Sequence, residues 1–248
     1  MELYAGNEHA HRHVLLPGLE GDVIALPSGA CEGGDLYALF SCGEDRYARV
    51  VLADAVGHGY SASTVARHIH GLLHRHSDVR DIAALLAALN DSFEVAGTTP
   101  GAPLRLATVA TANYDRATGE FNFAYAAQPR MLRWVAGEGR WYALGNRLGG
   151  LPLGVIAGER YSQQSVRLEP GDMVMAFSDA LIEVQSPEGV QLWSDGFLQL
   201  AGSVSSGLAG PMSVHDLSEG LLEAVRRYHG TESFDDDLTL LTLRRLAE

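Results

Sequence analysis

The sequence predicts an α+β fold in which helices pack on antiparallel sheets. Three strand-like runs follow one another between residues 22 and 54, separated by glycines and charged turns, as in a meander. Two amphipathic helices come next, and strands then return and continue to residue 179. A further helix and a last strand complete the pattern. Because an amphipathic helix must bury its apolar face, we expect these helices to cover the sheets.

The strands are predicted from short apolar runs bounded by turn residues. After the turn Arg116–Thr118, the side chains of Phe121, Phe123 and Tyr125 alternate along one face of a strand. The runs interpreted as strands are DVIAL, DLYALFSC, RYARVVLAD, LRLATVATANYD, GEFNFAYAA, RMLRWVAG, RWYAL, QQSVRLE, MVMAFSD and LTLLTLR.

Three helices are predicted from apolar residues at helical spacing. The stripe of the first is Ala62, Val65, Ala66, Ile69, Leu72 and Leu73. The stripe of the second is Ile82, Leu85, Leu86, Leu89 and Phe93. Asp78 is the predicted N-cap of the second helix, and Ser213 caps a third from about Val214 to Tyr228. The Gly-Ser-rich interval Gly202–Gly210 is interpreted as a loop.

Length and composition indicate one folded domain. A chain of 248 residues, 46% of them hydrophobic, can bury a sizeable core and is not disordered. We assign residues 22–248 to one domain and expect the polar residues 1–21 to form an N-terminal arm. Cys31 and Cys42 are too few for a disulfide framework, and no signal-peptide pattern is present. These features predict a cytoplasmic protein.

The charge balance limits the classes of partner. The chain has 18 Lys and Arg against 31 Asp and Glu, a net charge of −13, so the phosphates of nucleic acids and anionic membranes would be repelled. The longest apolar candidate, Ile82–Leu89, is far shorter than the roughly 18 residues of a membrane helix. We therefore expect neither a nucleic-acid nor a membrane partner.

Several acidic residues stand at the ends of apolar strands, beside glycine. They are Asp35 after a glycine pair, Asp54 in LADAVGHG, Asp179 in MAFSDA, and the run Asp235–Asp237 before the last strand. Carboxylates that converged there would repel one another unless cations lay between them. Oxygen ligands select hard ions such as Mg²⁺ or Mn²⁺. The spacing alone leaves open that each acid is an ordinary solvated turn or cap residue.

Two glycine pairs adjoin these acids. Gly33 and Gly34 permit positive φ or a close backbone approach just before the first acid. Gly57 and Gly59 flank His58 in a tight turn that opens the first helix, whose N-terminal N–H groups would favour an anion such as phosphate. A plain strand-to-helix turn is the alternative interpretation of these glycines.

The order of the motifs resembles that of the metal-dependent PPM (type 2C) protein phosphatases, and within them the bacterial SpoIIE/RsbU/RsbX branch. The motifs are GGD, DAVGHG, GLPLG, LEPGD, MAFSD and DDLT. The likeness extends from about Asp22 to Arg244. It implies an α-β-β-α layered sandwich, in which two mainly antiparallel sheets are flanked by helices.

The resemblance also implies a site for two Mn²⁺ or Mg²⁺ ions. Its catalytic and metal-binding aspartates would be Asp35, Asp54, Asp179 and Asp236. The main-chain carbonyl of Ala55 would be a further ligand, and Asp235 a bystander. Residues expected to support the site are Gly34, Gly57, His58, Gly59, Asp237 and Thr239.

The function implied by the resemblance is a phosphoserine/phosphothreonine protein phosphatase. A water held between the metals would attack phosphorus, and the substrate class would be a small STAS-domain protein, an anti-sigma-factor antagonist. Two departures from the family pattern, Ala180 for glycine and Gln128 for histidine, motivate the alternative of an inactive pseudophosphatase that acts as a binding module. A hydrolase of small phosphoesters is a third possibility. A homodimer is one expected means of control.

The histidines offer a separate hypothesis. His70 and His74 are four residues apart on the first helix and could chelate zinc, although a solvated helix face is the favoured interpretation. His9, His11 and His13 alternate near the N-terminus and could bind metal adventitiously. The sequence assigns none of these histidines to the phosphatase site.

Overall fold

Two antiparallel sheets of six strands each form the centre of the structure, a computed structural model that describes residues 1–28, 32–57, 59–93, 105–146, 149–208 and 212–247. Sheet I has the strand order β1-β4-β5-β6-β7-β10, and sheet II has the order β2-β3-β12-β11-β8-β9. Two residues considered above, Cys31 and His58, lie outside the described residues.

The strands of sheet I are β1 (Glu2–Glu8), β4 (Glu32–Cys42), β5 (Tyr47–Ala55), β6 (Ala107–Asp115), β7 (Glu120–Ala126) and β10 (Gln164–Arg167). Those of sheet II are β2 (Ala10–Leu16), β3 (Leu19–Leu26), β8 (Leu132–Val135), β9 (Arg140–Ala143), β11 (Met173–Phe177) and β12 (Leu238–Arg245). The helices are α1 (Gly59–Arg75), α2 (Ile82–Asp91), α3 (Ala180–Glu183), α4 (Trp193–Gly207) and α5 (Val214–His229).

Alternation along the strands produces three apolar layers. Leu39 and Leu52 project between the sheets, where they meet Val23 and Leu241 of sheet II. The opposite face of sheet I packs against α1 and α2, and the opposite face of sheet II packs against α4 and α5. The α-β-β-α sandwich expected from the motifs is therefore confirmed.

The predicted helix stripes are buried. All six stripe residues of α1 are buried, as are the five assigned to the second helix, although Phe93 lies just beyond the end of α2. Ser213 caps α5 as predicted, because its hydroxyl accepts a hydrogen bond from the N–H of Asp216 at 3.0 Å. Among the described residues, no helix combines the length and apolar character that crossing a membrane requires.

Asp81, and not Asp78, is the N-cap of α2. The Oδ1 atom of Asp81 accepts a hydrogen bond from the N–H of Ala84 at 2.7 Å. A capping side chain must reach the N–H groups two or three residues ahead, and Asp78 stands too early in the chain to do so.

The interval Gly202–Gly210 is not a loop over its whole length, because α4 continues to Gly207. Three serine hydroxyls in this stretch donate to the carbonyls four residues earlier, and Ser205 also accepts a hydrogen bond from the indole of Trp141 at 2.7 Å. Packing of α4 on sheet II through Phe197 and Ala201 outweighs the weak helix propensity of glycine and serine.

Residues 1–21 do not form a separate arm. β1 pairs with β4 and is an edge strand of sheet I, and β2 pairs with β3 and is an edge strand of sheet II. In β2 the apolar residues Ala10, Val14 and Leu16 are buried between the sheets, while the histidines between them face outward. The segment is rich in polar residues because it contains an edge strand with one solvent-exposed face.

Asp172 of the LEPGD motif anchors a turn at the end of sheet II. Its carboxylate is 1% exposed and lies 2.6 Å from the Arg133 guanidinium. It also accepts hydrogen bonds from the N–H groups of Ala136, at 2.9 Å, and Glu169, at 3.0 Å. The motif therefore has a structural role in this chain.

We expect Asp172→Ala to lower the free energy of unfolding by about 3 kcal/mol, because it leaves a partly buried arginine and two N–H groups without their acceptor. Urea unfolding followed by circular dichroism measures this change. Glu169→Ala removes only an exposed pair with Arg167 and is expected to change stability by less than about 0.5 kcal/mol. Equal losses in both variants would contradict the anchoring role.

Candidate active site

Asp35 and Asp54 face each other on adjacent strands of sheet I. The register of β4 and β5 makes them direct cross-strand partners. Opposite residues of an antiparallel pair project from the same face, so the hydrogen-bonding of the sheet itself holds the two carboxylates together. Ala55, the last residue of β5, follows Asp54 immediately.

Asp35 is a buried acid without a hydrogen-bond partner. It is 5% exposed, and neither carboxylate oxygen has a partner among the described residues. Burial raises its pKa well above the usual range, and the charge of Asp54 adds to this effect. The hydroxyls of Thr239 and Ser178 lie near enough to lower the pKa in part, but neither has the geometry of a hydrogen bond to the carboxylate.

Carboxylates of sheet II complete the cluster. Burial raises the pKa of Asp54 to about 7, and the next largest causes are the charges of Asp179 and Asp236. Asp179 directly precedes α3, and its pKa is raised by burial, then by Glu183 and Asp236. The structure thus brings Asp35, Asp54, Asp179 and Asp236 into one electrostatically coupled group, although they come from distant parts of the chain.

Asp237 differs from these acids because its oxygens are fully engaged. Oδ2 accepts a hydrogen bond from the N–H of Gly34 at 2.6 Å, and Oδ1 accepts from the N–H and hydroxyl of Ser28 at 2.7 and 3.0 Å. Asp237 therefore ties β4 to the start of β12. Asp235 and Asp236 are exposed at the rim, and Asp236 accepts a hydrogen bond from the N–H of Asp237 at 2.8 Å.

Gly33 and Gly34 lie where neighbouring segments of the chain approach the backbone too closely for a side chain to fit. A Cβ at Gly33 would lie 2.7 Å from Cγ of Asp237. A Cβ at Gly34 would lie 2.9 Å from both the carbonyl oxygen of Ala55 and Cβ of Ala62. Larger residues would push apart the two segments that position Asp237 and the Ala55 carbonyl.

The turn from β5 into α1 adjoins the acids. Gly57 and Gly59 have φ values of +105° and +69°, which residues with a side chain rarely adopt. α1 begins at Gly59, so its free N–H groups are close to the end of β5. The part assigned to His58 remains a prediction.

A cleft opens beside Asp179 and Asp236. It has a volume of about 400 Å³, and Glu183, His229 and Phe234 contribute to its walls. The cleft gives the acid cluster access to solvent and room for a ligand next to two of its members.

Gln128 is a residue whose role the sequence did not reveal. It is buried, its Oε1 accepts a hydrogen bond from the Thr108 hydroxyl, and its amide donates to the carbonyl of Phe177 at 3.3 Å. Thr108 pairs with Asp54 in sheet I, and Phe177 ends the strand before Asp179 in sheet II. Gln128 therefore connects the two sheets directly beneath the acids. In the sequence, Gln128 was noted only because it replaces the histidine of a family motif.

Ser178 was also missed. Its hydroxyl donates to the carbonyl of Asp237 at 3.3 Å and accepts from the N–H of Thr239 at 2.8 Å. Its own N–H donates to the carbonyl of Thr239 at 3.0 Å. These bonds fix the backbone of Asp179 relative to that of Asp236. A buried serine before an aspartate gives no signal of this role in a sequence.

The donor set suits hard divalent cations. The cluster offers carboxylate oxygens, two of which are buried and have no hydrogen-bond partner within the described ranges, and a nearby main-chain carbonyl. The pKa values of Asp35, Asp54 and Asp179 are raised first by burial and then by neighbouring acids, and a bound cation would offset both effects. Magnesium and manganese ions match both the ligand type and the charge.

The sequence profile of the family described as Stage II sporulation protein E (SpoIIE) matches residues 44–246. The chain belongs to the SpoIIE family. This confirms the resemblance to PPM-type phosphatases of the SpoIIE/RsbU branch, and with it membership of a phosphatase family. No curated protein matches this SpoIIE-family chain by sequence.

Solved structures agree with the family. The RsbU and RsbW domains of Rv1364c from Mycobacterium tuberculosis superpose with a TM-score of 0.76 and 26% identity, over 99% of this chain and 64% of that one. The SpoIIE-family chain thus spans less than two thirds of the length of that structure. The PP2C phosphatase domain and regulatory fragment of SpoIIE from Bacillus subtilis gives a TM-score of 0.72 at 19% identity, covering 91% and 63%.

A third similar structure is the catalytic domain of the serine/threonine phosphatase PstP in complex with two manganese ions. Its TM-score is 0.60 at 16% identity, and the match covers 92% of this chain and 99% of that one. The SpoIIE and PstP structures are each less than 25% identical to this chain, and their similarity to it establishes a shared fold.

We expect Asp54→Asn to stabilise the metal-free protein at pH 8. The pKa of Asp54 is raised in the folded state, so its ionised form costs stability at any pH above the unfolded value, and fully so above about 7. Removing this charge should raise the free energy of unfolding by on the order of 2 kcal/mol. Urea unfolding in EDTA measures the gain.

The same variant should lose most of the stabilisation that Mn²⁺ gives the wild type. Asp235→Asn, an exposed acid beside the cluster, is the matched control and should change stability by less than about 0.5 kcal/mol. A loss of stability in metal-free Asp54→Asn would show that the carboxylates do not repel one another as described.

Proposed function

We propose that this protein is a metal-dependent phosphoserine/phosphothreonine protein phosphatase. The observation that carries the proposal is the buried carboxylate of Asp35, which has no hydrogen-bond partner in the described part of the chain. It lies opposite Asp54, which is coupled to acids next to the other sheet. A fold that gathers such charges without counter-charges is suited to hold cations. Membership of the SpoIIE family supplies the reaction class.

Asp35, Asp54, Asp179 and Asp236 would hold two Mn²⁺ or Mg²⁺ ions, with the carbonyl of Ala55 as a further ligand. When bound, the ions would supply a nucleophilic water at neutral pH and offset charge on the phosphoryl oxygens. No three of the four carboxylates are among the described groups whose ligand atoms lie within 4.8 Å of one another. The manganese pair in the PstP structure supports the same stoichiometry.

The other residues of the site hold its parts in position. Asp237 would fix Gly34 and thereby the Ala55 carbonyl, through its hydrogen bond to the Gly34 N–H. Ser178 would keep Asp179 in register with β12. The N–H groups at the start of α1 would attract the phosphoryl group, because a helix N-terminus carries partial positive charge.

The proposed substrate is a small phosphorylated STAS-domain protein, an anti-sigma-factor antagonist. Support comes from the resemblance to the RsbU branch and from the Rv1364c structure, which contains an RsbU domain together with an RsbW domain. A role in partner switching, a cytoplasmic location and a homodimer are parts of the same proposal.

Two observations favour an active enzyme over a pseudophosphatase. Ala180 is the first residue of α3 and has no positive φ, so its Cβ is compatible with the local backbone. Gln128 is hydrogen-bonded between the sheets and leaves the aspartates in place. The two departures from the family pattern are therefore accommodated in this structure.

Phosphate release from a serine-phosphorylated STAS protein and from p-nitrophenyl phosphate tests the proposal. With Mn²⁺ we expect turnover of both, a loss of about 10³-fold or more in Asp54→Ala, and activity within about twofold of wild type in Asp235→Asn. EDTA should abolish the activity, and added Mn²⁺ should restore it.

The pattern of activity separates the alternatives. No metal-dependent release from either substrate by folded wild-type protein would favour the pseudophosphatase. Release from p-nitrophenyl phosphate alone, across a panel of phosphoproteins, would favour the hydrolase of small phosphoesters. Full activity in Asp54→Ala would exclude the proposed site.

A further inference from the structure

A second group of potential ligands lies on sheet II, outside the aspartate cluster. It consists of His11 in β2, Asp22 in β3 and His215 in the first turn of α5. Ile24, two residues after Asp22, packs against α5, and Asp22 projects from the same face of the strand. His11 is the cross-strand partner of Ile24, so it shares that face.

Asp22 is buried in a way that demands a counter-charge. Its side chain is 1% exposed, and Oδ2 has no hydrogen-bond partner among the described residues. Two imidazoles lie beside it, with side chains 35% exposed for His11 and 56% exposed for His215. A buried carboxylate oxygen without a hydrogen bond is costly, and two imidazoles at 3.5 Å leave room for a group that the carboxylate binds.

The ligand atoms lie close enough together to share one metal ion, because His11, Asp22 and His215 each offer an atom within 4.8 Å of the other two. Nε2 of His11 lies 3.5 Å from Oδ2 of Asp22, and Nδ1 of His215 lies 3.5 Å from Oδ1. Ligands bound to zinc at about 2.0–2.1 Å are separated from one another by about 3.4 Å in a tetrahedron. The two rings are stacked with centroids 5.1 Å apart, and each places one nitrogen beside a different oxygen of the Asp22 carboxylate.

Glu219 provides the outer contact that a metal-binding histidine usually has. Its Oε1 lies 3.3 Å from Nδ1 of His11, the ring nitrogen that does not face Asp22. A carboxylate there would orient the ring, favour the tautomer with Nε2 free to bind, and raise the basicity of that nitrogen.

We propose that His11, Asp22 and His215 form a zinc site that clamps the edge strand β2 and the start of α5 to β3. Two imidazole nitrogens and one carboxylate oxygen suit Zn²⁺, whereas Mg²⁺ and Ca²⁺ prefer oxygen ligands alone. The exposure of both imidazoles leaves a fourth position open to water. The site does not depend on the proposed phosphatase activity.

The other histidine cluster is less suited to a metal. Nε2 of His70 and Nε2 of His74 lie 2.5 and 2.8 Å from the same oxygen of Glu2. Hydrogen bonds therefore account for this group, and its glutamate is 27% exposed. The zinc expectation for His70 and His74 remains a prediction, and both residues are removed in the test below.

The test uses tag-free, full-length protein carrying His70→Ala and His74→Ala, in excess Mg²⁺ so that oxygen-only sites are filled. Zinc calorimetry should give one saturable equivalent, and Co²⁺ should give the intense visible absorption of tetrahedral coordination. We expect His11→Ala or His215→Ala to weaken zinc binding at least tenfold, and Glu219→Gln to weaken it about tenfold. His9→Ala, an exposed histidine outside the cluster, should bind as tightly as the parent.

Thermal unfolding gives a second readout that does not require tight binding. Zinc should raise the melting temperature of the parent and of His9→Ala, and should leave that of the His11→Ala/His215→Ala double variant unchanged. Circular dichroism confirms that each variant is folded before it is compared. No saturable zinc binding by the folded parent, or equal affinity in the parent and in His215→Ala, would overturn the proposal.

Discussion

Repulsion between buried carboxylates is the constraint on which the rest of the candidate site depends. Asp35 and Asp54 are held opposite each other by the hydrogen-bonded register of β4 and β5, so both side chains project from the same face of sheet I. Acids of sheet II add to the same charge. The apolar layer between the sheets and the two outer helix layers must supply the stability that this cluster removes.

Hydrogen bonding separates the acids into two kinds. Asp237 and Asp172 are as buried as Asp35, yet their oxygens accept backbone N–H groups or pair with arginine, and they hold segments of chain together. Among the residues that the structure describes, none is such a partner for the carboxylate of Asp35. Burial alone therefore does not distinguish a ligand from an anchor, whereas the partners of each oxygen do. The family motifs contain both kinds, which is why motif membership alone could not assign their roles.

The sequence predicted what depends on local periodicity. The stripes of α1 and α2 and the cap of α5 follow from spacing within a few residues, and the layered fold follows from those stripes. The strands β1 and β2 and the helix α4 were not predicted, because distant partners stabilise them. For the site, the resemblance named the acids, but the bridge made by Gln128 between the sheets exists only once both sheets have formed.

The ligand atoms of the two proposed sites would select different kinds of cation within one domain. At the acid end, oxygen ligands and high negative charge favour hard ions that retain water, whereas imidazoles next to Asp22 favour a borderline ion with fixed tetrahedral geometry. The strand that carries His11 is an edge strand of sheet II. The unpaired N–H and C=O groups of an edge strand can pair with another chain unless side chains prevent it. A metal bound between this strand, β3 and α5 would fasten that edge without any contribution from the phosphatase site. Because β3 pairs with β12, and β12 begins beside Asp237, fastening the edge would also steady the strand that leads into the acid cluster.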